Sequence, residues 1–91
     1  MTKRQIEIMN QAYNHYGKVA QTVKCIEEMS ELTKELAKEL NGQGDEAHIT
    51  EEIADVLITA TEMMLIHSPS DVKKTITMKL NRLLYRMESD R

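Results

Sequence analysis

The chain has 91 residues, a formal net charge of −3 and one cysteine, Cys25. That length reads as a single domain over 1–91, short enough to bury a smaller fraction of its surface than an average domain does. The charge lacks the basic excess of a nucleic-acid binder, no intrachain disulfide can form, and no apolar run approaches the roughly 18 to 20 residues that cross a bilayer. Lys3, Arg4 and Glu7 interrupt the start, so an apolar leader is not expected and the chain reads as a reduced, cytoplasmic protein. Phe and Trp are absent and Tyr occurs three times. The apolar content is Leu, Ile, Met, Val and Ala, which favours helices over sheets.

Apolar residues at 6, 9, 13 and 16 recur at helical spacing and Gly17 follows as a C-terminal cap, which predicts a first helix over 4–16. From Lys18 to Asn41 neither Pro nor Gly occurs. Val19, Val23, Ile26, Met29, Leu32, Leu36 and Leu40 keep the period until Asn41-Gly42-Gln43-Gly44 stops it. A third helix is predicted from near His48 to His67, with Asp45 or Thr50 as N-cap and Ser68-Pro69 as the stop. Pro69 also suits the first turn of a fourth helix capped by Ser68, with Val72, Ile76, Leu80, Leu83 and Met87 on one side and fraying after Glu88. Short links between long helices favour antiparallel neighbours, hence an all-α four-helix bundle.

Helix three stands apart. Ile49, Ile53, Val56, Leu57, Ala60, Met63 and Met64 fill one side, and Ala54, Ile58 and Leu65 much of the other. Such a helix is expected to be central, with Glu51, Glu52, Asp55 and Glu62 on the narrow remaining arc.

Glu28 and Glu31 on helix two, and Glu52 and Asp55 on helix three, are pairs three positions apart, so each pair shares one helix face about a turn apart. Either pair alone is commonly a solvated face. Facing each other across a groove, four carboxylates repel and lose solvation unless a cation lies among them. An all-oxygen set without His or Cys selects a hard ion, Mg²⁺ or Mn²⁺, over zinc.

The run Gly17-x-x-x-Gln21-x-x-Lys24-x-x-Glu27-Glu28-x-x-Glu31-Leu32, followed by Glu51-Glu52-x-x-Asp55-Val56-Leu57, resembles the signature of the MazG-like, all-alpha nucleoside triphosphate pyrophosphohydrolases. The resemblance implies a four-helix fold in which Glu28, Glu31, Glu52 and Asp55 hold magnesium. It also implies hydrolysis of nucleoside triphosphates, deoxynucleotides or non-canonical ones, to the monophosphate and pyrophosphate. Glu27 or one of the ligand glutamates would accept the proton of the attacking water. Glu27 points well away from Glu28 on an ideal helix, so a surface or subunit-contact role suits it at least as well.

An anionic substrate needs further cations, and Lys79, Arg82 and Arg86 share one arc of helix four as phosphate-binding candidates, although a basic stripe is more often a solvated face. Gln21 and Lys24 precede Glu28 by seven and four positions and line the same face: Gln21 as a candidate contact for base or sugar, Lys24 equally as an i, i+4 partner of Glu28. Tyr13 and Tyr16 are expected in the core, as are Met63 and Met64; His15, His48, His67 and Cys25 are assigned no chemistry. The apolar arcs of helices two and three exceed what one partner helix each covers, so self-association is expected, and the family resemblance implies a homodimer or dimer of dimers with shared sites. Neither nucleic acid nor membrane is expected as a partner. The rival readings are a non-catalytic helical interaction module, with its carboxylates salt-bridged to a partner, and a nucleotide-sensing protein that binds without turnover.

Overall fold

The computed structural model describes residues 1–90 as four α-helices with no strand among them. They are α1 (Lys3–Tyr16), α2 (Lys18–Leu40), α3 (Glu46–Ile66) and α4 (Pro69–Ser89). Local signals set each boundary. At the start of α1 the Thr2 hydroxyl accepts from the Gln5 amide at 3.1 Å while the Gln5 side chain accepts from the Thr2 amide at 2.8 Å. That reciprocal capping box satisfies two otherwise orphaned donors. Gly17 ends α1 and begins α2 in one residue: its N–H donates to the Tyr13 carbonyl at 2.8 Å and its own carbonyl accepts from Gln21 N–H at 3.2 Å.

At the next turn Gly42 takes φ 74 and Gln43 N–H donates to the Lys38 carbonyl at 2.9 Å, closing the end of α2. A Cβ on Gly44 would lie 2.8 Å from Glu39 Cα, so only glycine lets the loop lie this close to α2. Of the two cap candidates for α3 the structure uses Asp45, whose Oδ1 accepts from Ala47 and His48 amides at 3.0 and 3.3 Å. Ser68 precedes α4 as expected, but its hydroxyl donates to Asp71 Oδ2 at 2.8 Å rather than capping the backbone.

α2 and α3 form an antiparallel hairpin. Gly44 lies against Glu39 beside the loop, Glu28 meets Glu52 and Asp55 near mid-length, and the Thr22 hydroxyl reaches Met63 Sδ at 3.7 Å toward the far end. α1 packs on both members of the hairpin, whereas α4 packs on α3 alone. α3 is central in touching each of the others, but the apolar coat from which that position was expected is not covered, with Ile53, Leu57 and Ile58 exposed. The chain by itself leaves the bundle open: its radius of gyration is 16.0 Å, against about 12 Å for a compact domain of this length.

Burial reflects that openness. Met9, Cys25 and Ile49 are the buried apolar residues, and α4 buries none. Helix-two positions that carry the apolar period, including Val19 at 78% and Leu40 at 90% exposure, face outward, as do Ile53, Leu57 and Ile58 on α3. Periodicity located the apolar faces, but the single chain supplies no second layer to cover them.

The backbone at Gly17, φ 91 and ψ 167, lies in a region essentially reserved for glycine, with open space where a Cβ would go. Gly17→Ala is therefore expected to lower stability by roughly 1–3 kcal/mol through backbone strain alone. A thermal melt checks this; an unchanged midpoint would show that the α1–α2 junction relaxes without cost.

Candidate functional site

Glu28 from α2 and Glu52 and Asp55 from α3 come together where the hairpin helices cross, with one carboxylate oxygen of each within 4.8 Å of the others. The three-residue spacing turns Glu52 and Asp55 onto the same face of α3, and antiparallel pairing brings Glu28 opposite them. Glu28 is buried; Glu52 and Asp55 are half-buried. Lys24, one turn before Glu28, pairs with it at 3.2 Å. Glu31 is exposed and outside the cluster, although its charge still acts on Glu52. Glu27 is exposed and also outside it.

Burial first, and the crowding of like charges after it, set the ionisation of this group. The Asp55 carboxyl is raised by burial, by its hydrogen bond to Glu28 and by the Glu28 charge. Burial also pushes Glu28 up, but hydrogen bonds from Asp55 and Lys24 outweigh it and hold Glu28 below the ordinary carboxylate range. Of this pair, then, Asp55 is the carboxyl shifted toward its protonated form and Glu28 the one shifted toward its ionised form. Glu52 is raised by burial and by the neighbouring Glu28, Asp55, Glu31 and Glu51 charges. The Lys24 ammonium is correspondingly strengthened, first by its hydrogen bond to Glu28.

The donor set fits a hard divalent cation. It is all oxygen, and Glu52 Oε2 is buried without a hydrogen-bond partner. The 4.8 Å bound on the oxygens is close to the about 4.2 Å that separates opposite ligands of a magnesium ion.

Beside the cluster, α1, α2 and α3 enclose a cleft of about 480 Å³. Gln21, Lys24, Glu28 and Asp55 line one part of it, and Tyr16, Ala12, Ile58 and Glu62 the other. Gln21 and Lys24 therefore lie where their helical spacing puts them. Lys79, Arg82 and Arg86 do not join them: all three are exposed on α4 and none lines the cleft. Tyr16, expected in the core, is 64% exposed at the edge of the cleft, while Tyr13 is half-buried. Met63 and Met64 are half-buried rather than enclosed.

One group escaped the sequence reading. Glu62 was legible as a member of the acidic arc of helix three, yet its burial at 6% exposure in the cleft wall was not. The available signal was its spacing, seven positions after Asp55, which returns to the same helix face. Compared with known proteins, the chain matches no family model, no curated protein and no solved structure.

Glu52, Asp55 and Glu62 have carboxyls raised in the folded chain, and Glu28 is lowered. Stability from the raised groups is full below the unfolded value near about 4 and is lost as pH rises through their folded values; that from Glu28 runs oppositely. With three raised against one lowered, the metal-free melting temperature is expected to fall over the interval of rising pH that begins above about 4. Glu52→Gln, which removes one negative charge, should flatten that fall. A midpoint that instead climbs over the interval would contradict carboxylate crowding.

Proposed function

We propose that the chain is a magnesium-dependent nucleoside triphosphate pyrophosphohydrolase of the MazG-like kind, acting on deoxynucleotides or non-canonical nucleotides. The observation that carries this reading is the convergence of Glu28, Glu52 and Asp55 from two antiparallel helices, with one buried carboxylate oxygen unpartnered, at the edge of a cleft of nucleotide size. Glu28, Glu52 and Asp55 would hold the ion, with Glu31 completing the set by a side-chain rotation. Mn²⁺ suits the same oxygens.

When bound, the ion supplies charge neutralisation for the phosphate chain and a lowered pKa for the attacking water. The remaining work belongs to the side chains. Glu28, shifted toward its ionised form, would be the carboxylate of the pair better placed to accept a proton during hydrolysis. The Lys24 ammonium, mostly exposed and aligned on Glu28, adds positive charge at the cleft. Gln21 is buried in the same wall and offers both a donor and an acceptor to sugar or base. Ala12 and Ile58 add apolar surface to the cleft lining.

The oligomer enters here as well. We infer a homodimer or dimer of dimers in which α4 of one chain covers an apolar face of another. That arrangement is supported by the uncovered row Ile76, Leu80, Leu83 and Met87 on α4 and by the low burial of the isolated chain. It would allow Lys79, Arg82 and Arg86 to reach a neighbouring subunit's phosphates. Light scattering on a sizing column should give a mass of at least two chains, and Leu83→Asp should shift it toward one chain with a lower melting temperature. A native mass of one chain would sink this part of the reading.

Pyrophosphate release from a panel of dNTPs and NTPs, with magnesium and with EDTA, tests the enzyme. Glu28→Gln and Asp55→Asn are each expected to lower kcat/KM by about 10²-fold or more, since each removes an anionic ligand at nearly constant volume. Nucleotide binding without release would favour the sensing reading. The absence of both binding and release would favour a non-catalytic interaction module.

A further inference from the structure

Glu62 is a buried carboxylate in the cleft that the metal cluster does not use. Its residue is 6% exposed, its Oε2 has no hydrogen-bond partner, and no ion pair among the described residues includes it. A buried acceptor without a donor is costly and marks a place where a ligand completes the hydrogen bonding. The position along α3 says which part of a ligand that would be. Glu62 lies two turns beyond Asp55 on the same face, about 10 Å along the helix axis. With phosphates at the carboxylate cluster, a nucleoside reaching along the cleft passes Thr59 and brings its base to Glu62. Ile58 and the Tyr16 ring provide apolar surface there for a flat heterocycle.

We propose that Glu62 reads the nucleobase, accepting two adjacent N–H donors from a guanine edge. This rests on the pyrophosphohydrolase reading for the placement of the phosphates. Burial favours the neutral acid of Glu62, so the chemistry selects guanine at a pH where Glu62 is ionised: the carboxylate then only accepts, and it offers two oxygens side by side. Guanine presents its ring N1–H next to its exocyclic amino group. Adenine and cytosine place a ring acceptor beside their amino group, and thymine and uracil flank their single N–H with carbonyls. Each of these sets a lone pair against one carboxylate oxygen. Of the cluster, Glu28 and Asp55 line the cleft but are engaged with each other and with Lys24, and Glu52 does not line it. The Thr59 hydroxyl donates to its own helix, to the carbonyls of Asp55 and Val56.

The experiment uses the full chain with Mg²⁺ and compares dGTP with dITP, whose base lacks only the exocyclic amino group, in both equilibrium binding and pyrophosphate release. The unaltered protein is expected to favour dGTP by roughly ten- to a hundredfold, the range for a bidentate contact. Glu62→Gln and Glu62→Met should each bring the two nucleotides level, the second variant serving as an apolar replacement should the amide fail to fold. Should neither fold, the preference of the unaltered protein decides. Turnover that ignores the amino group, or a preference for dATP or dCTP, overturns the role of Glu62 and leaves the hydrolase standing. Glu62-dependent dGTP binding without release supports the base contact and overturns the hydrolase instead. Failure to bind either nucleotide overturns both.

Discussion

The repulsion among Glu28, Glu52 and Asp55 is the constraint around which the rest of the structure is arranged, because it sits on the most extensively packed helix pair in the chain. Helices α2 and α3 pack along their length, and their antiparallel register brings carboxylates from both into one small volume. The conflict is eased within the chain itself: Asp55 is shifted toward its protonated form, while Glu28 is held toward its ionised form with Lys24 paired to it from one turn away. That arrangement differs from a structural salt bridge. A structural bridge would pair each carboxylate, and here one oxygen of Glu52 is left with nothing.

A second consequence concerns shape. A chain whose best-packed pair of helices carries buried acids cannot draw much stability from that seam, and it has little core elsewhere. Only Met9, Cys25 and Ile49 are buried among its apolar residues. The apolar faces of α2, α3 and α4 remain open, and α4 leans on α3 without reaching α1 or α2. Site and oligomer are thus linked in the proposed reading: the subunit contact would supply both the missing burial and the basic side chains absent from the cleft. Lys79, Arg82 and Arg86 lie on the least buried helix, which makes sense for residues that serve another subunit.

Much of the fold was legible from local chemistry. Helix ends predicted at 4–16 and 48–67 fall within two residues of those observed, because Gly17, Gly42 and Asp45 act on their immediate neighbours. The juxtaposition of Glu28 with Glu52 and Asp55 was legible too, since spacing and a short loop imply it. What spacing does not carry is which face meets which partner. Val19, Ile26 and Leu57 have the right period for a core but lie uncovered in the single chain, and Tyr16 turned out to edge the cleft. Glu31, by the same limit, shares a turn with Glu28 yet falls outside the cluster.

Glu62 marks where helical periodicity stops being informative and three-dimensional packing takes over. On α3 it follows Asp55 by two turns, so its face was fixed, but an acid on that face becomes meaningful only when α1 crosses above it. Ala12 and Tyr16 line the cleft from α1, and the Glu62 residue in its wall is 6% exposed. The burial that raises the Glu62 carboxyl has no compensating cation beside it, in contrast to Glu28 with Lys24. Two acids on one helix face thus have different surroundings: Asp55 is crowded by other carboxylates, while Glu62 stands apart from that cluster and from any cation. In the proposed reading one helix would in this way meet opposite ends of a polar ligand with groups of the same chemical type.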